Sequence, residues 1–171
     1  MLISFSGLPG VGKTAIAREL ARRIGAVYLR IDSIEQAIRN ATAPARSLDD
    51  AGYRVAYAVA EDNLRIGRIV VADCVNPLPV TRDAWLEIGR RAATYTIEVE
   101  IICSDPDEHK SRVQVRVTDI PGLLLPNWED VISREYHPWN RQRIVIDTAG
   151  RSIEDSVESL CKIFLDRDSR R

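Results

Sequence analysis

The apolar residues of the chain follow two periodicities in alternation. Short β-like runs mark strands: "LISF" (2–5), "VYLRI" (27–31), "IVVAD" (69–73), "YTIEVEIIC" (95–103) and "RIVID" (143–147). The third is continuous and apolar, as suits a strand buried on both faces. Between the strands the apolar positions recur at helical spacing. Ile16, Leu20 and Ile24 form one stripe, closed by Gly25, and Tyr53, Ala56, Tyr57, Ala60 and Leu64 form another, closed by Gly67. Segments 33–40, 80–92 and 152–165 also read as helices, the last with Ile153, Val157, Leu160 and Phe164 inward. "ATAPARS" (41–47) is a polar loop. Strands alternating with helices join by right-handed crossovers, so the pattern predicts an α/β fold with a parallel sheet covered on both faces. No repeat or linker divides the sequence, and residues 1–171 are expected to form one domain.

The alternation breaks at 105–140. Asp105, Pro106 and Glu108 supply an N-cap, a first-turn proline and a capping-box acid for a helix, although its end, "VQVRV" (113–117), alternates like a strand. "DIPGLLLP" (119–126) is loop, and "NWEDVISREY" (127–136) reads as a short helix capped by Asn127. This stretch is an arginine-bearing insertion between the fourth and fifth strands.

Composition adds mainly exclusions. The 171 residues are 45% hydrophobic and 29% charged, ordinary for a globular protein. A net charge of −1 gives no electrostatic case for nucleic acid or an acidic membrane as partner. Cys74, Cys103 and Cys161 lie far apart without a CxxC pair or a histidine at ligand spacing. They read as reduced, small apolar residues and not as zinc ligands. The sequence shows neither a signal-peptide pattern nor a long apolar run, so the protein is expected in the cytoplasm, off the membrane, as a monomer or homodimer.

The chemistry concentrates in "GLPGVGKT" (7–14), a G-x-x-x-x-G-K-T (Walker A) loop between a strand and an amphipathic helix. Gly7, Gly10 and Gly12 permit backbone shapes that aim successive N–H groups at phosphate oxygens. Leu8, Pro9, Val11 and Ala15 complete the nucleotide-holding stretch, and the positive end of the helix adds attraction. Lys13 suits the β/γ-phosphates and the Thr14 hydroxyl suits Mg²⁺. A GTPase would also need a guanine-reading N-K-x-D loop, which is absent, and "DIPG" (119–122) follows the fourth strand instead of a switch region. A ring-forming motor needs a larger core with a helical lid domain. A small phosphotransferase fits the chain.

The blocks "GLPGVGKT", "RIDSIEQAI", "VVADCVNP", "CSDPDEHKSRV" and "IDTAG" together resemble the small P-loop kinases often labelled AAA-family ATPases. That group is similar to chloramphenicol phosphotransferase, zeta toxin, and gluconate, shikimate and adenylylsulfate kinases. The resemblance covers nearly the whole chain. It implies a three-layer α/β/α sandwich, nucleoside-monophosphate-kinase-like, with a five-stranded parallel sheet of order 2-3-1-4-5 and a lid. It also implies ATP and Mg²⁺ as cofactors, and transfer of the γ-phosphate to a hydroxyl of a small-molecule acceptor. Two other functions fit the same blocks: a regulatory or partner-dependent ATP-binding NTPase, and a nucleoside or polynucleotide kinase.

Each remaining candidate carries a functional and a structural interpretation. Asp32 ends the second strand at the carboxyl edge of the sheet, where α/β proteins bind ligands. In the resembling kinases an Asp here contacts the acceptor hydroxyl and takes its proton; with Glu35 it can equally form a capping box for helix 33–40. Asp73 ends the third strand as a Walker-B-like acid for Mg²⁺, or bonds the turn backbone. Asn76 is a candidate acceptor contact. Arg112 and Arg116 share a face if the insertion helix forms, and either fork onto phosphate or make a solvated helix end. Arg30 shares a side with Asp32 if the second strand alternates, and binds an anionic acceptor or a surface carboxylate. The resemblance places Thr148, Ala149 and Gly150 around the adenine. Tyr53, Tyr57, Trp85, Trp128 and Trp139 are expected to pack, and His109 and His137 have no triad or metal geometry.

Overall fold

A computed structural model describes residues 1–41 and 50–168. The elements run β1 (Leu2–Ser6), α1 (Lys13–Ile24), β2 (Val27–Arg30), α2 (Ile31–Ala41), α3 (Ala51–Arg65), β3 (Val70–Asp73), α4 (Pro79–Arg91) and β4 (Thr96–Ile102). The chain continues through α5 (Pro106–Val115), α6 (Trp128–Ile132), β5 (Ile144–Asp147) and α7 (Ile153–Asp168). Most of the predicted 41–47 loop lies outside the described residues.

All strand pairs are parallel, in the order β2-β3-β1-β4-β5. Every residue of β1 and β3 is buried, Ser4, Ser6 and Asp73 included, as suits central strands covered on both faces. Side chains alternate between the two faces and feed two cores. Ile3, Phe5, Val99 and Ile101 pack under α1 and α7 with Ile16, Leu20, Val157 and Leu160. Leu2, Val70 and Ala72 pack on the other face with Ala56 and Leu64 of α3 and Trp85 and Ile88 of α4. Tyr53 and Tyr57 join that second core, and Tyr57 meets Trp85 edge to face at 4.6 Å.

Four expectations change in detail. Ile153 is 50% exposed, because it opens α7 ahead of the turn that packs; Ser156, Val157 and Leu160 carry the buried stripe. β2 stops at Arg30 and α2 begins at once at Ile31, so Asp32 lies in a first helical turn instead of ending a strand or capping. The strand-like "VQVRV" is helical to Val115, with Val113 buried and Val115 and Val117 exposed. α6 is a single capped turn, its Asn127 side chain accepting from the Asp130 N–H at 2.9 Å while Asp130 accepts from Asn127 N–H.

Candidate active site

β1 releases the chain into the phosphate loop at Gly7. Its φ of +134° and the closeness of β4, where an added Cβ would lie 2.2 Å from the Ile101 carbonyl, leave room for glycine only. Gly10, at φ +89°, meets α5: a Cβ there would fall 2.5 Å from Val113 Cγ2. The same helix places His109 Nε2 2.9 Å from the Pro9 carbonyl. Thr148 shares its hydroxyl proton between the carbonyls of Val11 (2.9 Å) and Ile102 (3.0 Å). The insertion and the turn after β5 therefore brace the loop from one side.

Arg112 belongs to this brace. It donates to Thr148 Oγ1 and to the Thr148 carbonyl, each at 2.8 Å, and to Glu108 at 2.5 Å. Asp105 caps α5 by accepting from the N–H groups of Asp107 and Glu108, but Glu108 does not return the bond expected of a capping box. Its carboxylate takes Arg112 and the Gly150 N–H instead. Arg116 sits one residue beyond α5 with extended backbone, so it leaves the face of Arg112. One nitrogen donates to the Pro126 carbonyl at 2.9 Å, while Nε is buried without a partner.

These groups open onto a cavity of about 970 Å³ at the carboxyl edge of the sheet. Lys13, Thr14, Arg30, Asp32, Asp73 and Arg116 all line it. Lys13 is buried and donates from Nζ to the Leu8 carbonyl of its own loop at 2.8 Å. Burial pulls its pKa down, opposed chiefly by the charge of Asp73 and then of Asp32. Asp73 is buried at the end of β3 and accepts from the Tyr28 hydroxyl at 2.8 Å, a side-chain partner in place of the turn backbone. Burial and Asp73 together push the Tyr28 phenol well above its usual range. Arg30, opposite Asp73 in the β2–β3 register, donates to Asp119 at 2.6 Å.

Two groups of candidates lie elsewhere. Asn76 is fully buried at φ +47°. Its amide donates to Ser4 Oγ and the Phe5 carbonyl, both at 3.0 Å, and its oxygen accepts from Trp85 Nε1 at 3.2 Å. With its backbone groups bonded to Tyr53 and Arg82 as well, Asn76 is a post beneath the cleft with no polar atom left for an acceptor. Thr148, Ala149 and Gly150 do not line the cavity; Thr148 is occupied with Val11 and Arg112. Conversely, Glu35, Arg39, Asp119 and Arg134 line it without having been singled out as ligands of a substrate. The spacing of Glu35 and Arg39 from Asp32 puts all three on one face once α2 starts at Ile31. Asp119 and Arg134 carry no such local signal.

Among the described residues no group of three or more His, Cys, Asp or Glu could hold a metal. None of their helices is long and apolar enough to cross a membrane. The three cysteines are free.

Residues 2–122 match the family model described as an AAA domain. No curated protein matches the chain. The fold recurs in solved structures of low identity. APS kinase of Mycobacterium tuberculosis in complex with AMPPNP and APS is 17% identical with a TM-score of 0.71, over 95% of this chain and 96% of that one. Kti12 of Chaetomium thermophilum in complex with ADP-AlF3 is 18% identical with a TM-score of 0.67, over 95% and 98%. A gluconokinase of Sinorhizobium meliloti is 19% identical with a TM-score of 0.61, over 91% and 86%. A phosphate loop at the head of a 2-3-1-4-5 parallel sheet, with the family match running over most of the length, means that the chain belongs to the AAA-domain family and has the P-loop fold.

Proposed function

We propose that the protein is a cytoplasmic ATP-dependent phosphotransferase that moves the γ-phosphate of ATP to a hydroxyl of a small molecule. One observation carries the proposal: Lys13 of α1 and Asp32 of α2 open onto the same cavity. A volume near 970 Å³ accommodates a nucleotide tail together with a second small molecule. That APS kinase and a gluconokinase share the fold supports the proposal.

The residues present also fit Mg²⁺. The Thr14 hydroxyl and the Asp73 carboxylate line the cavity together, and Mg²⁺ typically takes one or two such oxygens and leaves the rest to water and phosphate. When bound, the ion would neutralise charge on the β- and γ-phosphate oxygens. In this proposal Lys13 exchanges the Leu8 carbonyl for phosphate, a move that also relieves the burial of its charge. The acceptor oxygen bonds to phosphorus as the bridging P–O bond to ADP breaks, and Asp32 takes the hydroxyl proton. Arg116 offsets charge on the phosphoryl oxygens, and Arg112 holds α5 against the phosphate loop with its guanidinium at the cavity wall.

The test is ADP formation across hydroxylated metabolites (sugars, sugar acids, nucleosides, antibiotics), with Lys13→Ala as the inactive control. One acceptor class should turn slow ATP hydrolysis into stoichiometric transfer. Asp32→Asn should then slow transfer by roughly 10²–10⁴-fold. Its effect on folding should stay within about 1 kcal/mol, because removing the charge gives up a first-turn dipole interaction and attraction to Lys13 and Arg116 but also relieves repulsion of Glu35. ATP hydrolysis that no acceptor stimulates, with nucleotide-dependent binding of another macromolecule, would replace transfer by a regulatory NTPase.

A further inference from the structure

We infer that Tyr28 is a positioning residue for the metal site: its hydroxyl engages one oxygen of Asp73, leaves the other alone for the ion, and so makes the site prefer Mg²⁺ to Ca²⁺. This role rests on the reading of Thr14 and Asp73 as the Mg²⁺ oxygens; the hold of Tyr28 on Asp73 rests on geometry.

The β2–β3 register sets Tyr28 opposite Val71 and Arg30 opposite Asp73. Tyr28 and Val71 both join the core beneath α1, so Asp73, two residues after Val71, turns its side chain to that same face. The core holds the ring, and the hydroxyl donates to Asp73 Oδ2 at 2.8 Å. Asp73, Thr14 and Arg18 line the cavity, but Tyr28 stands behind its wall. Tyr28 therefore reaches a ligand only through Asp73. Thr14 and Arg18 lie four residues apart on one face of α1, so the helix that carries the Thr14 hydroxyl also brings Arg18 to the tyrosine.

The direction of the hydrogen bond is fixed by what surrounds it. Arg18 and Arg30 face the Tyr28 hydroxyl, and Asp119 of the insertion accepts from both, at 2.5 and 2.6 Å. An arginine side chain donates and cannot accept, so the phenolic proton goes to Asp73. The second Asp73 oxygen makes no hydrogen bond among the described residues and is not sealed from solvent, so it is the one that opens onto the cavity. Asp73 is only 3% exposed and presents one oxygen there instead of a fork. Mg²⁺ is small, keeps several waters and takes few carboxylate oxygens, whereas Ca²⁺ readily accepts both oxygens of one carboxylate. A one-oxygen Asp73 suits the smaller ion. Groups that orient a metal ligand from behind in this way are worth roughly 10–100-fold in metal affinity.

The experiment measures AMPPNP affinity of the full chain by calorimetry in EDTA, in Mg²⁺ and in Ca²⁺. Wild type should bind AMPPNP more tightly in Mg²⁺ than in EDTA or Ca²⁺. Tyr28→Phe keeps the ring and removes the donor. It should lose about tenfold of the Mg²⁺ gain, narrow the ratio of Mg²⁺ to Ca²⁺ affinity, and leave the EDTA affinity near that of wild type. An equal fall in all three affinities would show a purely structural residue and overturn the role. In an Asp73→Asn background Tyr28→Phe should change the Mg²⁺ gain no further, and additive losses would also overturn it. Tyr28→His returns an N–H donor on a shorter ring and should fall between Tyr28→Phe and wild type; it also reads the site if Tyr28→Phe does not fold. A full Mg²⁺ gain in Tyr28→Phe, with Asp73→Asn impaired, removes Tyr28 and leaves the Mg²⁺ site standing. A Mg²⁺ gain untouched by Asp73→Asn removes the Mg²⁺ reading and the role of Tyr28 with it.

Discussion

Glu35 sits one turn along α2 from Asp32, with both carboxyl groups at the cavity wall. Burial first, and the charge of Asp32 second, push its pKa above the ordinary 4.5, while Arg39 and Arg134 pull it back. A carboxyl raised by folding favours the protonated native state. Its stabilisation is complete below the unfolded pKa and is lost as pH rises through the folded one. Glu35→Gln, which keeps the shape and removes the charge, should therefore melt with wild type at pH 4 and above it at pH 7–8. For a chain of this size the gap should be roughly 1–3 °C, read by thermal melts across pH. A gap that is constant with pH would show that Glu35 does not titrate in this range. What could be read at this scale was what sequence neighbours determine. Lys13, Thr14 and Asp73 follow from a local motif and a strand end, and all three reach the cavity. Asp119 lies 89 residues from Arg30, and no periodicity links the two. Asn76 illustrates a related point: its place in the loop after β3 suggested the cleft, whereas its buried partners Ser4 and Trp85 come from other elements.

The helix α5 shows the same division among elements. Its start was legible, because Asp105 and Pro106 act within one turn. Its role was not, because that role depends on what α5 touches. Gly10 packs against Val113, His109 reaches Pro9, and Arg112 pins Thr148, whose hydroxyl reaches Val11. These contacts make the turn after β5 and the insertion a single clamp on the phosphate loop. Thr148→Val keeps the volume and removes the hydroxyl, leaving the Val11 carbonyl without this donor. The loss of that buried bond should cost about 1–3 kcal/mol, or roughly 2–10 °C in Tm. Nucleotide affinity, measured by AMPPNP titration at 25 °C, should fall several-fold, because the loop that presents N–H groups to phosphate is less well held. A stability loss with unchanged AMPPNP affinity would separate the clamp from the loop. The sheet itself was easier to read than the clamp: the continuous apolar run of β3 marks a strand buried on both faces, and the order 2-3-1-4-5 that the resemblance implied is the one observed.

Over the whole molecule, the insertion is tied to the sheet at both ends. α5 holds its start to the phosphate loop, and Arg82 of α4 holds its finish. Arg82 is 2% exposed and donates to the carbonyls of Asn76 (2.9 Å), Pro77 (3.1 Å), His137 (2.8 Å) and Pro138 (3.3 Å). Its guanidinium lies 4.3 Å from the ring centre of Trp139 and 5.0 Å from that of Tyr136. Residues 76 and 77 continue from β3, which ends at Asp73, whereas 136–139 close the insertion, so one side chain fastens the end of the insertion to the segment that follows β3. Lysine carries the charge but neither the planar fork nor the reach to four carbonyls. Arg82→Lys should therefore strand buried acceptors at a cost of about 2–4 kcal/mol, lowering Tm by roughly 5–15 °C. Arg90→Lys, at a side chain 75% exposed and paired with Glu87 on the same helix, should change Tm by about 1 °C or less. Because Arg82 touches no residue of the phosphate loop, AMPPNP affinity at 25 °C should stay within about threefold of wild type. Acceptor KM should rise instead, since Asp119 and Arg134 ride on the segment that Arg82 anchors. Equal melting of Arg82→Lys and Arg90→Lys would assign the fastening of the insertion's end to the Arg141–Glu98 and Arg143–Glu100 pairs.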